Sequence, residues 1–231
     1  MPGRLADKLC IVTGASSGLG AAIADALAAA GARVCGLARR FADGPLAHPL
    51  AAGQVTRARL DVTDEAAVNR RFGELGPVDV AVSCAGVGKF APFVETSVAD
   101  LREMLEVHVV GSFLVARALL GQRAVGRTRN IINVSSHVAF RTFSGCAAYT
   151  AAKEGQRGLG RVLVDEARPH GVRVTTLYPG AIDTPIWDDR PGFDRRAMLR
   201  PADVAGLVVE IVARPELAVE ELTIMPPAGS L

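Results

Sequence analysis

Lys8-Leu9-Cys10-Ile11-Val12-Thr13 runs into Gly14-Ala15-Ser16-Ser17-Gly18-Leu19-Gly20 and continues as Ala21-Ala22-Ile23-Ala24-Asp25-Ala26-Leu27. The first six residues are a short apolar run, as expected of a strand buried on both faces. The alanine-rich stretch that follows reads as a helix stopped at Gly31. Between them, Gly14, Gly18 and Gly20 permit a tight turn and close approach of the backbone to a pyrophosphate. The next helix N-terminus then offers N–H groups and a positive dipole end to the phosphates. A glycine trio alone is a weak signal; set between a strand and a helix it is a much better one.

Downstream, strand and helix patterns alternate. Arg33 to Ala38 is a second strand, followed by Arg39-Arg40. In a dinucleotide-binding fold an acid at this strand end accepts from a ribose 2′-hydroxyl, whereas an arginine accommodates a 2′-phosphate. Here there is no acid; Ala38, Arg39 and Arg40 stand in its place. The crossover 41–54 holds Gly44, Pro45, Pro49 and Gly53, so an irregular connection is expected. Val55 to Leu60 is the third strand, with Asp61-Val62 after it and Thr63 or Asp64 as cap for a helix over Glu65 to Leu75. Asp61 is placed either against an adenine or as a local cap. Val78 to Val82 is the fourth strand, ending in the small residues Ser83-Cys84-Ala85-Gly86. A long apolar-periodic helix, Leu101 to Gln122, carries His108. Asn130 to Val134 is the fifth strand and Val172 to Leu177 the sixth. Residues 181–200 form a short substrate lid, Ala202 to Ala213 a helix after Pro201, and Glu221 to Met225 the last strand. The expectation is a single α/β domain over 1–231: a doubly wound, mainly parallel sheet of about seven strands with helices on both faces.

The fifth strand leads into Ser135-Ser136 and then into a helix bearing Tyr149 and Lys153, which are four apart and therefore share a face. Tyrosine titrates near 10, about 4 kcal/mol too high for proton transfer at neutrality. A lysine ammonium at about 4 Å offers a term of similar size. The chain has only three lysines (Lys8, Lys89, Lys153) against 23 arginines, so a lysine one turn from a tyrosine is not simply a solubilising charge.

Composition excludes other classes. A net charge of +2 with no basic run argues against nucleic acid as a partner. No apolar run is expected to reach the roughly 20 residues of a membrane span, and Met1-Pro2-Gly3-Arg4 lacks a signal-peptide layout. Cys10, Cys35, Cys84 and Cys146 lack metal or disulfide spacing, as expected of reduced thiols in a cytoplasmic protein.

Taken together, Thr13-Gly14 with Gly18 and Gly20, the set Ser136/Tyr149/Lys153, and Pro179-Gly180 followed by Thr184 resemble the short-chain dehydrogenase/reductase family over nearly the whole chain. The resemblance implies an NADP(H)-dependent oxidoreductase interconverting an alcohol and a carbonyl on a small or medium-sized substrate. It implies Tyr149 as general acid and base, Lys153 lowering its pKa and holding the nicotinamide ribose, and Ser136 positioning the substrate oxygen. Cofactor contacts are expected from Gly14, Ser16, Ser17, Gly18, Leu19 and Gly20. Further contacts are expected from Arg39, Arg40, Asp61, Val62, Ala85 and Gly86, and, at the nicotinamide, from Pro179, Gly180, Ile182 and Thr184. A homo-oligomer is implied as well, through the helices around 101–122 and 149–167. Two departures stand out. Ser83-Cys84-Ala85-Gly86 replaces the family's Asn-Asn-Ala-Gly, and His108 falls where an asparagine usually serves a water-linked proton relay. A neutral imidazole has one donor and one acceptor, enough to hold the same water, and its titration would add an acid-side dependence near pH 6.5. Two other readings follow: a nucleotide-binding sensor of the same fold, suggested by His108, or a reductase of carrier-bound ketoacyl groups.

Overall fold

The structure, a computed structural model, describes residues 3–44, 46, 50–124, 126–190 and 192–229. Its framework is one seven-stranded sheet. The strands are β1 (Leu9–Thr13), β2 (Arg33–Ala38), β3 (Val55–Arg59), β4 (Val80–Ser83), β5 (Arg129–Val134), β6 (Val172–Pro179) and β7 (Glu221–Ile224). Their order is β3-β2-β1-β4-β5-β6-β7, and each neighbouring pair is parallel. The doubly wound α/β sheet read from the sequence is thus the fold observed. Its β1, β4 and β5 are buried along their whole length, which is why they read as unbroken apolar runs rather than alternating ones.

Helices α1 (Gly18–Ala29) and α6 (Pro201–Val212) cover one face, packing Leu19, Ile23 and Leu27 with Val204 and Val208 against β1 and β4. The other face is covered by α2 (Glu65–Leu75), α4 (Gly111–Gly121) and α5 (Ala147–Ala167), around Phe72, Val115, Leu119 and Ile131. Asp64 is the cap of α2, its carboxylate accepting from the Ala67 N–H at 2.9 Å. No helix forms among the described residues of the 41–54 crossover; Pro45 and Pro49 lie outside them, as does Pro191 of the lid.

The long helix expected over 101–122 begins earlier, at Val98, and is not uniform. α3 (Val98–Leu105) passes into α4 through a π-helical turn over Glu106–Val110. The run Val98–Gly121 is long and apolar enough, by length and composition, to cross a membrane, which corrects the expectation that no apolar run reaches that length. Half of it is buried inside the protein, as befits a core helix.

The sheet order reverses direction of growth between β1 and β4. In open parallel sheets the crevice beyond the strand C-termini at such a switch point is where ligands bind. Thr13 ties the two sides of the crevice together. Its hydroxyl donates to the Val82 carbonyl at 3.2 Å and accepts from the Cys84 and Ala85 N–H groups at 3.1 Å each.

Candidate active site

A cavity of about 840 Å³ opens at that switch point, within the range of small-molecule and cofactor sites. At one end it is bounded by the turn after β1. Gly14 has φ +70°, and a Cβ there would meet the Cys84 carbonyl oxygen at 2.7 Å, so only glycine fits. Ser17 precedes α1 without a side-chain cap, which leaves the first N–H groups of the helix open to a ligand. Arg40, exposed at the end of β2, bonds the Ser16 hydroxyl at 3.2 Å and the Ser17 hydroxyl at 2.6 Å. Two hydroxyls and a guanidinium therefore meet beside the turn, with Arg39 also on the wall. Asp61 lines the same region, but its carboxylate is already engaged by the Thr63 N–H and hydroxyl, at 3.0 and 2.8 Å. It acts as a local turn cap, while Val62 is buried beneath it.

At the other end, Tyr149 and Lys153 project from the first two turns of α5 toward Ser136, just beyond β5. The Tyr149 phenol hydrogen-bonds Ser136. Ser135 turns the other way, its buried hydroxyl donating to the Lys153 carbonyl at 3.2 Å. The Lys153 ammonium lies 5.6 Å from the Tyr149 ring centre and donates to the Val134 carbonyl at 3.0 Å and to Gln156 Oε1 at 3.2 Å. Burial pushes the phenol up to about 12, while the Ser136 hydrogen bond and Arg190 pull it down. The lowering expected from the Tyr149/Lys153 spacing is therefore not seen: burial is the largest influence on the phenol, and the groups that pull it down are Ser136 and Arg190. Burial also lowers Lys153 to about 8.

His108 sits in the π-helical turn, 1% exposed, with its ring edge-on to Tyr149 at 5.6 Å. Nε2 lies 2.9 Å from the Val87 carbonyl and 3.4 Å from the Val87 N–H; the shorter contact, to an oxygen that can only accept, makes Nε2 the donor and Nδ1 the acceptor. Nδ1 is buried without a partner. Gly86 makes room for the ring: a Cβ there would come within 2.7 Å of Cε1. Burial first, and the Lys153 charge second, push His108 down to about 3. The acid-side dependence expected near pH 6.5 is therefore corrected: the ring is neutral throughout the ordinary working range.

Ala85, Gly86, Pro179, Gly180, Ile182 and Thr184 complete the walls next to this group. Ile182 bridges to Leu199, which ties the two ends of the 181–200 segment together, and Thr184 Oγ1 bonds the Ile182 carbonyl at 3.4 Å. Sequence reading missed several neighbours. Gln156, one turn beyond Lys153, holds the ammonium and donates to the Ser112 hydroxyl at 2.7 Å; a lone glutamine three residues from the lysine was the available signal. Phe90 packs on Tyr149 with ring centres 5.3 Å apart, and Arg190 of the lid lies over Phe90. Cys84, in the small-residue run expected to pass close to a cofactor, and Cys146, which the sequence allowed as a pocket residue, also reach the cavity and are not among the missed ones.

The residues present fit a nicotinamide dinucleotide. An unsubstituted turn and uncapped helix face the phosphate end, and a hydroxyl, a phenol and an ammonium stand at the reacting end of the same space. Comparison with known proteins agrees. Residues 8–192 match the family described as short chain dehydrogenase. The chain is 36% identical over 223 residues to 1-deoxy-11-beta-hydroxypentalenate dehydrogenase of Streptomyces exfoliatus, covering 90% of this chain and 80% of that one. It is 35% identical to D-threitol dehydrogenase of Mycolicibacterium smegmatis, covering 82% and 77%. An alcohol dehydrogenase from the archaeon Thermococcus sibiricus, solved with 5-hydroxy-NADP, superposes with a TM-score of 0.84 at 28% identity, covering 97% and 98%. Fold, turn, cavity and relatives converge: the chain belongs to the short-chain dehydrogenases, nicotinamide-dependent oxidoreductases of alcohols and carbonyls.

Proposed function

We propose that the protein is an NADP(H)-dependent oxidoreductase that interconverts an alcohol and a carbonyl on a small or medium-sized molecule by hydride transfer, with Tyr149 as acid and base. The observation that carries this reading is the shared cavity, with the cradled phosphate end and the Ser136–Tyr149–Lys153 group opening into one space. When bound, the nicotinamide supplies the hydride in reduction and accepts it in oxidation. Gly14, Gly18, Gly20 and the N–H groups around Ser16, Ser17 and Leu19 hold the pyrophosphate. Asp61 and Val62 line the adenosine side, and Ala85, Gly86, Pro179, Gly180, Ile182 and Thr184 surround the nicotinamide end.

Tyr149 gives its proton to the substrate oxygen in reduction, and Ser136 donates to the same oxygen. A phenol pushed up to about 12 is protonated at neutrality, so passing its proton on depends on stabilising the phenolate that is left. Lys153 carries a positive charge below about pH 8 and stabilises the phenolate left behind. Gln156 and the Val134 carbonyl take two of its three N–H donors and fix its direction, leaving one for the cofactor ribose. His108 stays neutral and offers Nδ1 as an acceptor, which suits it to hold a water behind Lys153.

The choice of NADP over NAD rests on Arg39 and Arg40, on the missing acid at Ala38, and on the Arg40–Ser16–Ser17 cluster, which is ready to receive a phosphate. The 5-hydroxy-NADP of the archaeal neighbour supports it. The names of the pentalenate and threitol enzymes support a substrate of small or medium size. Docking of an acidic carrier protein has less support, because Lys89 is already occupied by Asp100 and Glu103. Exposed Phe113 on α4 and Val162 on α5 give the expected homo-oligomer an apolar face to bury. The test is a panel of carbonyl compounds read by loss of NADPH absorbance: turnover with at least one class is expected, and binding of NADPH without any turnover would overturn the reading.

A further inference from the structure

We propose that Arg190 anchors a carboxylate of the substrate, so that the molecule oxidised or reduced here is an acid with an apolar body. The proposal rests on the reading of the Tyr149 region as a substrate site and narrows what that site takes. The Arg190 guanidinium carbon lies 3.5 Å above the centre of the Phe90 ring and 5.5 Å from the Trp187 ring. Phe90 in turn packs on Tyr149, so the cation is one ring away from the phenol, on the wall of the same cavity.

Its neighbours do not neutralise it. Arg195 takes Asp183 at 2.5 Å and Asp188 at 2.7 Å, Arg196 takes Asp194 at 3.0 Å, and Arg200 takes Asp203 at 2.8 Å. Asp189, next to Arg190 in the chain, is exposed. Among the described residues no carboxylate comes within ion-pair distance of Arg190, while the other lid arginines are all paired. A half-buried guanidinium without an anion is costly to keep. With its carbon held 3.5 Å over the Phe90 ring, its N–H donors stay available to a planar two-oxygen group, which meets a guanidinium as a fork. Beside it the wall is aromatic, Phe90 and Trp187 with Phe193 packed on Trp187, and Cys146 and Tyr149 are the nearest polar groups. One cation in such a wall matches a monoanion, and a carboxylate is the planar one; a doubly charged phosphate would call for further donors.

Trp187 is the only tryptophan of the chain, so its fluorescence reports this wall directly. Phenylacetate and phenylacetamide, equal in shape and different in charge, are titrated against the full chain without cofactor. Phenylacetate is expected to bind about 10- to 100-fold more tightly, the ratio that a charge-assisted fork gives over a neutral contact. The ratio should fall to near one in Arg190→Leu and to an intermediate value in Arg190→Lys, which keeps the charge and loses the fork. Equal affinities, no saturable response to either compound, or a ratio unchanged in Arg190→Leu would each overturn the proposal and leave Arg190 as a latch on Phe90. If Arg190→Leu does not fold, Arg190→Lys and the unsubstituted protein decide. Because binding is read without turnover, failure of the NADPH panel would sink the oxidoreductase reading and leave this result standing.

Discussion

The two ends of the cavity are built by different means. The end proposed to hold the phosphates is made mostly of backbone: a left-handed Gly14 and an uncapped helix N-terminus, with the Thr13 hydroxyl pinning the loop after β4. All but that loop comes from about twenty consecutive residues. The reacting end is made of side chains, and they arrive from distant segments: Phe90, His108, Ser136, Tyr149 with Lys153, and Arg190. The first end is a local property of the chain and tolerates change in most side chains but not in backbone freedom. The second depends on the sheet bringing separate segments together, and its chemistry hangs on single groups.

The contrast is sharpest at Tyr149. Removing its hydroxyl in Tyr149→Phe should lower turnover by roughly 10³-fold or more while NADPH still binds, since the phosphate end is untouched. Steady-state rates beside a cofactor titration check this; retention of most activity would move the proton donor elsewhere, with His137 the first candidate on the cavity wall. At the other end the pattern should invert. Arg39→Ala and Arg40→Ala, separately and together, should weaken NADPH by about 10- to 100-fold and NADH much less, with kcat at saturation little changed. Equal loss for both cofactors would mean that these arginines only decorate the end of β2.

A third effect concerns His108 and is one of stability. Its folded pKa, lowered to about 3, lies below the unfolded value near 6.5. The unfolded chain therefore binds the extra proton first as pH falls, and stability is lost between about 6.5 and 3. Denaturant unfolding of native and His108→Asn proteins should show the native one losing roughly 2 to 3 kcal/mol more between pH 7 and 4.5. Parallel curves would place the imidazole in water rather than against Val87 and Lys153.

The same contrast explains what the sequence disclosed. Parallel strands buried on both faces leave unbroken apolar runs, so β1, β2 and β5 were legible almost to the residue. β4 begins at Val80 rather than Val78, because Asp79 is a buried polar anchor that accepts from Leu9 N–H and Arg127 at 2.8 Å each. The π-helical turn was hidden since one extra residue in a turn scarcely disturbs the apolar spacing around it. Tyr149, Lys153 and Ser136 could be found from spacing, but their electrostatics could not: burial moved Tyr149 up and His108 down, and burial is a property of the assembled fold. Arg190 was masked by composition, since in a chain with so many arginines an unpaired one looks like any other until its neighbours are seen.

The most direct test of the central claim follows the hydride itself. The protein is incubated with NADPH deuterated at the transferable C4 position and the carbonyl that the panel identifies, and the alcohol product is weighed by mass spectrometry. One deuterium on the carbinol carbon is expected with the native protein, and no labelled alcohol above background with Tyr149→Phe. Native protein that binds the labelled cofactor yet yields no deuterated alcohol from any carbonyl offered would contradict the account and leave a nucleotide-binding protein that does no hydride chemistry.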